Sequence, residues 1–473
     1  MSQWTSMLHR ALLMASLLLA AHAASAAAPK LAWQVDIPSY ADKPTFADLD
    51  GDGRFEVILA CGDGSVVALD GASGAEIWRH NVDNESFTNS PAVVDVDRDG
   101  GTEVIVAGNR NGTLVCLSGA TGEPRWQKRT RGETVGGSPV IINRELPAGP
   151  LLVVVMGTRL RVLEALNGDV VWETALPQDS LGTVGVGRPD GGERLVIGTR
   201  RGRLLAYDID GNALWETTLA GPINAAPLVV DLDFDGVDEI YAIGSSLYCL
   251  DTAGKEIWRW APPKGAGIAS SLAVADINHD QKQEIVLTSY DGSVYAISPA
   301  GRTVWSSPVV TAGGGDATIP ASTPVLIDTK GTFEGADVLL VSPMPSAPGL
   351  LGFDGKTGKR LWRVPLARFS QCCPAVAEVT GDRYPEIIVT DASNTAYCFT
   401  LGNEVRRGWV RFGSSLWGSS TETERRRQTE QLLAGKMPFP TLARAVGENA
   451  IAEAPTAPLA VRREALEALL RLA

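Results

Sequence analysis

The sequence predicts an all-β fold, an eight-bladed β-propeller of four-stranded antiparallel blades, with seven as the alternative count and a short helical C-terminal tail. Three observations predict it. Residues 46–78, FADLDGDGRFEVILACGDGSVVALDGASGAEIW, alternate short apolar runs with tight turns, the pattern of one four-stranded meander. The unit recurs, and its tryptophans mark it: Trp33, Trp78, Trp126, Trp172, Trp215, Trp258, Trp305, Trp362 and Trp409, at intervals of 43 to 57 residues. Such a period suits blades that bury their faces only against their neighbours in a ring. The 50 glycines supply the turns. Length alone, 473 residues at roughly 150 per domain, would suggest about three domains, but the repeat overrides that count.

In chain order, residues 1–26 read as a signal peptide. Arg10 closes a short basic region, residues 11–20 are apolar, and Ala21-His22-Ala23 and Ala24-Ser25-Ala26 are small-residue cleavage sites. The chain is thus expected to be exported, to the periplasm or beyond. The apolar run is short for a membrane-spanning helix, so no transmembrane anchor is expected after cleavage, and no nearby cysteine offers a lipid anchor. The propeller is expected over 27–412. Residues 30–37 (KLAWQVDI) resemble only the last strand of a unit; this orphan strand belongs in the final blade, where it closes the ring and removes two sheet edges. Eight units follow, ending near Val82, Arg129, Leu176, Leu219, Ala261, Val309, Leu366 and Val410. The third, fourth and seventh are degraded in their first loop, and the seventh carries an insertion, SPMPSAP, at 342–348. Residues 413–473 form the tail: Thr421-Glu422-Thr423-Glu424 has capping-box spacing for a helix to about Leu433, and Leu459, Leu466, Leu469 and Leu470 cluster on one side of a second.

Four units carry oxygen-bearing side chains at positions 1, 3, 5 and 9 of the loop between their first two strands, all acids except one asparagine. The first has Asp48, Asp50, Asp52 and Glu56; the second Asp95, Asp97, Asp99 and Glu103; the fifth Asp231, Asp233, Asp235 and Glu239; the sixth Asp276, Asn278, Asp280 and Glu284. A hard cation makes such crowding tolerable. Calcium takes six to eight oxygens, and Gly53, Gly100 and Gly236 permit the sharp bend. The eighth unit keeps the spacing with different residues, Glu378-Val379-Thr380-Gly381-Asp382 and Glu386, and stays open between a metal site and an acidic turn. A net charge of −13 argues against nucleic acid, whose phosphates would be repelled.

The DxDxDGxxE loop between two strands resembles the FG-GAP (integrin-alpha and VCBS-type) repeat, whose loops bind structural calcium. The second half of each unit, as in VALDGASGAEIW and VCLSGATGEPRW, resembles the PQQ-type propeller repeat. The two resemblances together cover residues 31 to about 412 and imply several structural Ca2+ sites.

Cys116, Cys249 and Cys398 share one position in the third strand, where other units have Ala68, Val162, Ala206, Ala296 and Gly352, so that position calls for a small apolar side chain. Cys372-Cys373 is more unusual, a candidate vicinal disulfide or ligand-face element. Quinoprotein alcohol dehydrogenases, which are eight-bladed PQQ propellers, carry such a pair beside their cofactor. Other units read Asn89-Ser90-Pro91, Gly137-Ser138-Pro139, Ala225-Ala226-Pro227 and Ser322-Thr323-Pro324 there, so two small residues entering the innermost strand also explain it. The metal loops share one face with the turns between third and fourth strands. The longer blade-to-blade connections occupy the other, where recognition is expected. No Ser-His-Asp, Cys-His or zinc-ligand spacing assembles from the two histidines beyond the signal, His80 and His279. The expected function is a calcium-binding, non-catalytic recognition or scaffold module for an extracytoplasmic protein or carbohydrate, with oligomeric state open. The alternative is a PQQ-dependent dehydrogenase of alcohols or sugars, although the calcium ligands, catalytic aspartate and stacking tryptophan of that family find no match. The chain also resembles outer-membrane assembly propellers, which are lipoproteins.

Overall fold

The computed structural model describes residues 28–401 and 410–411, apart from 130–132, 145–148, 181, 190–191, 234, 281, 310–321, 328–336, 343–347 and 383. The signal stretch, Trp409, most of the seventh-unit insertion and the tail lie outside the described residues.

Eight antiparallel sheets form eight blades. Blade 1 consists of Thr45–Ala47, Glu56–Ala60, Ser65–Leu69 and Glu76–Asn81, paired in that order. Blades 2 to 7 repeat the plan over 92–129, 140–175, 185–218, 228–260, 273–308 and 325–365. Blade 8 is built from both ends of the chain: Ala375–Ala377, Glu386–Asp391 and Thr395–Thr400 are completed on the outside by Lys30–Asp36, as the orphan strand requires. One expectation is corrected. Val410–Arg411 does not end the eighth unit as its own fourth strand; it pairs with Val325–Ile327, the first strand of blade 7. The N-terminal strand already fills the outer place in blade 8, so the later segment takes a free edge elsewhere. The single helix among the described residues is the 3-10 turn Pro263–Gly265, and none of them forms a helix long and apolar enough to cross a membrane.

Burial follows position in the blade. Second strands such as Glu56–Ala60 and Glu103–Ala107 are buried throughout because sheets cover both faces. Fourth strands alternate, as Glu76–Asn81 does, with one face against the next blade and one toward water. First strands of neighbouring blades meet around the axis, where side-chain hydroxyls join them: Ser138 Oγ accepts from Ser90 N (3.0 Å), Thr183 Oγ1 from Ser138 N (2.9 Å) and Thr323 Oγ1 from Ser271 N (3.2 Å). This is why small residues precede each inner strand.

The tryptophans fasten blade to blade. Each lies opposite the small third-strand residue: Trp78 faces Ala68, Trp126 Cys116, Trp258 Cys249, Trp362 Gly352 and Trp33 Cys398. The indole then reaches the next blade. In six of these tryptophans Nε1 donates to a carbonyl in the turn between third and fourth strands, as Trp33 does to Gly71 (2.8 Å), Trp78 to Gly119 (2.6 Å) and Trp215 to Thr252 (2.8 Å), whereas Trp362 Nε1 has no partner among the described residues. In those six the ring covers a glycine with positive φ in the same turn. A Cβ on Gly122 or Gly254 would lie 2.6 Å from Trp78 or Trp215, so both the backbone conformation and the close approach require glycine. Truncating such an indole costs on the order of 3–5 kcal/mol.

Candidate functional site

The acidic loops gather on the face that carries these tryptophan contacts. Leu49 of the first loop would lie 2.7 Å from a Cβ on Gly119, in the turn of blade 2. Each loop coils around its own carboxylates. In blade 1, Asp48 accepts from Gly51 N (2.7 Å) and Gly53 N (3.0 Å), Asp50 from Asp52 N (3.1 Å), and Asp52 from Arg54 N (2.8 Å). Position 9 begins the second strand. There Glu56 Oε2 takes the N–H of Leu49 (2.7 Å), seven residues back, and Glu103, Glu284 and Glu386 do the same for Val96, Ile277 and Val379. The glutamate thereby closes the loop with one oxygen and keeps a second to offer.

Carboxylate oxygens from three residues converge to within 4.8 Å in four loops: Asp48, Asp50 and Glu56; Asp95, Asp97 and Asp99; Asp231, Asp233 and Glu239; Glu378, Asp382 and Glu386. All are hard oxygen donors, the set suited to calcium or magnesium. Asp95 Oδ1 is buried with no hydrogen-bond partner among the described residues, a place for an ion to fill. Burial, reinforced by neighbouring acids, pushes Glu239, Glu284 and Glu386 up to about 7, and Glu56 and Glu103 are raised as well. Without a cation the loops therefore hold protons near neutrality.

The loops are not equivalent. Asp52 pairs with Arg54, Nε to Oδ2 at 2.8 Å, and stands outside the trio of its loop. In blade 2 the guanidinium of Arg125 reaches Asp97 (2.5 Å), Glu103 (2.8 Å) and Asp99 (3.7 Å), occupying carboxylates a metal would use. Asp235 accepts from Val237 N (2.8 Å). In the sixth loop Asn278 donates to Glu284 Oε1 (3.1 Å), while Asp276 accepts from His279 N (2.6 Å) and Asp280 from Lys282 N (2.9 Å). Arg54 and Arg125 are the residues the motif search missed. The signal existed for Arg125, which precedes its tryptophan where other units have Ile77, Val171, Leu214, Ile257, Val304 and Leu361.

Cys372 and Cys373 lie at the entry to the innermost strand of blade 8, both buried thiols. Cys372 Sγ donates to Cys373 O (3.2 Å), Cys372 N donates to Ser370 Oγ (3.0 Å) and Cys373 N to Asp42 O (2.9 Å) across to blade 1. They form part of the wall, with the Cys372 thiol and both backbone N–H groups bonded inside it. Burial pushes the Cys116 and Cys249 thiols up to about 12.

A family model described as outer membrane protein assembly factor BamB, of the PQQ_2 repeat type, matches residues 62–276, 156–341 and 236–421, together well over half of the chain. The chain belongs to this family. BamB of Nitrosomonas eutropha is 31% identical over 113 residues, 24% of this chain and 26% of that protein. A lambda-carrageenase of Pseudoalteromonas carrageenovora is 30% identical over 121 residues, 25% of this chain and 12% of that enzyme. The matched stretches thus span about a quarter of one relative's length and about an eighth of the other's. The crystal structure of BamB from Moraxella catarrhalis superposes with a TM-score of 0.55 at 18% identity, covering 79% of this chain and 98% of that one, a likeness of fold.

Proposed function

We propose that this chain is a non-catalytic scaffold propeller that acts outside the cytoplasm, engages a protein partner during outer-membrane assembly, and holds calcium in its acidic loops as a structural ion. Membership of the BamB family over residues 62–421 carries the scaffold reading. The export signal expected at 1–26 agrees with it. The calcium part rests on the convergent trios and on glutamates that burial would otherwise protonate, and it treats the loops as FG-GAP-type loops grafted onto PQQ-type blades. Calcium bound at Asp48, Asp50 and Glu56, and at Asp231, Asp233 and Glu239, would tie each first hairpin to its second strand on the face where the tryptophans hold neighbouring blades. A rigid ring then leaves the blade-to-blade connections on the other face to contact the partner.

A quinone cofactor is not part of this reading, because the vicinal cysteines that suggested one are engaged in the wall. The test is deletion of the gene in its host with quantification of outer-membrane β-barrel proteins. Reduced levels, restored by the intact gene, are expected. Unchanged levels contradict the scaffold role, as does PQQ-dependent dye reduction with alcohols or sugars by the purified protein.

A further inference from the structure

The eighth loop lacks the DxDxDG motif, yet it too brings three carboxylates together. Glu378, Thr380, Asp382 and Glu386 occupy loop positions 1, 3, 5 and 9, and Gly381 at position 4 has the same φ of +79° as Gly51 in blade 1. Carboxylate oxygens of Glu378, Asp382 and Glu386 lie within 4.8 Å of one another. Glu386 is 0% exposed, and only its Oε2 is engaged, by Val379 N at 3.0 Å. Its Oε1 is buried with no hydrogen-bond partner among the described residues, and so is the hydroxyl of Thr380 two positions along the loop from Glu378. A buried carboxylate oxygen and a buried hydroxyl without partners are unfavourable unless something fills the gap.

We propose that this loop binds a hard divalent cation of the calcium type, with Glu378, Asp382, Glu386 and the Thr380 hydroxyl as its ligands. The ion completes both orphaned oxygens at once. Its place in the fold gives it a particular task. Val379 of the loop abuts Gly71 of blade 1, where a Cβ would lie 2.7 Å from Val379 Cβ, and Gly71 O is the acceptor for Trp33 Nε1 on the N-terminal strand. Arg54 of the first loop passes beside Gly381, with its guanidinium turned to Asp52. The loop, the N-terminal strand and blade 1 therefore meet at one point, and a cation there secures the seam where the two ends of the chain close the ring. This deepens the calcium reading above but rests on donors of its own.

The test is native mass spectrometry of the full chain across a calcium titration. Asp382→Asn suits it because the residue is exposed and asparagine keeps the turn bond from Tyr384 N (2.8 Å), so folding is not at stake. Asp382→Asn is expected to lose one bound calcium. Thr380→Val is expected to weaken that same site severalfold without lowering the melting temperature in chelator, since it deletes an unpartnered hydroxyl. Glu239→Gln is measured alongside. If it too loses one ion, both this site and the wider reading stand; if it loses none while Asp382→Asn does, the eighth-blade site stands alone. If Asp382→Asn and Thr380→Val bind calcium as the unaltered chain does, the proposal is overturned whatever Glu239→Gln shows.

Discussion

Replacing Gly254 with alanine measures how rigidly one blade is fastened to the next. Gly254 has φ +81°, and its Cβ would lie 2.6 Å from Cε3 of Trp215. Two costs combine. An L-residue held in the left-handed region loses roughly 1–2 kcal/mol, and forcing a methyl against a packed indole loses about 1–3 kcal/mol more. Gly265 separates them: its φ is +70°, but nothing lies within 4 Å of its Cβ position, so Gly265→Ala incurs only the backbone cost. The clash alone, at about 1–2 °C per kcal/mol for a chain of this size, should lower the midpoint of Gly254→Ala by a further ~1–6 °C. Differential scanning calorimetry of both full-length variants in the same calcium buffer reads the difference. Equal midpoints would refute the reasoning, because they would mean that the indole moves aside freely and that the tryptophan repeat marks blades without binding them together.

The remaining predictions concern charge and thiols. In chelator, Glu239, Glu284 and Glu386 have folded pKa values of about 7 against roughly 4.5 unfolded, so stability fully present below the unfolded value is lost as pH rises toward 7. The melting temperature should accordingly fall by several degrees between pH 5 and pH 8 and level off above; a rise over that interval would contradict the raised values, and calcium should flatten the curve. Arg125→Ile restores the apolar residue of the other units and frees Asp97, Asp99 and Glu103. Titration calorimetry should then show a severalfold tighter calcium site, and an unchanged affinity would show that the guanidinium does not compete. All six cysteines are buried free thiols, so a thiol reagent should modify none of them rapidly in the native chain and all six after denaturation.

The ring was legible because its repeat is physical. A tryptophan in the fourth strand, a small residue opposite it and a glycine four residues before it appear in the sequence at the blade period, and the structure places each such glycine under the tryptophan of the preceding blade, so that the repeat is also the joint between blades. The orphan strand was legible for the same reason: Trp33 came with no three strands before it, and blade 8 supplies them. The fate of 410–411 was not, since a two-residue strand carries no periodicity and its pairing with blade 7 depends on which edge the closed ring leaves free. In the acidic loops the alternating carboxylates announced convergence. Which oxygens would face one another depended on side chains outside the motif. Arg125 reaches its loop from the fourth strand, 22 residues beyond Glu103, and the burial that leaves Glu386 Oε1 without a partner arises from packing that no local pattern records.

The account rests on cations in the acidic loops, and the melting of the full chain in saturating calcium against chelator tests it most directly. Each site filled to about a hundredfold over its dissociation constant adds ~2.7 kcal/mol to the folded state alone. Filling four loops should therefore raise the midpoint by roughly 10 °C or more at about 1–2 °C per kcal/mol. Identical midpoints in calcium and chelator would contradict the account and leave the carboxylate trios as acidic turns that hold protons rather than metal.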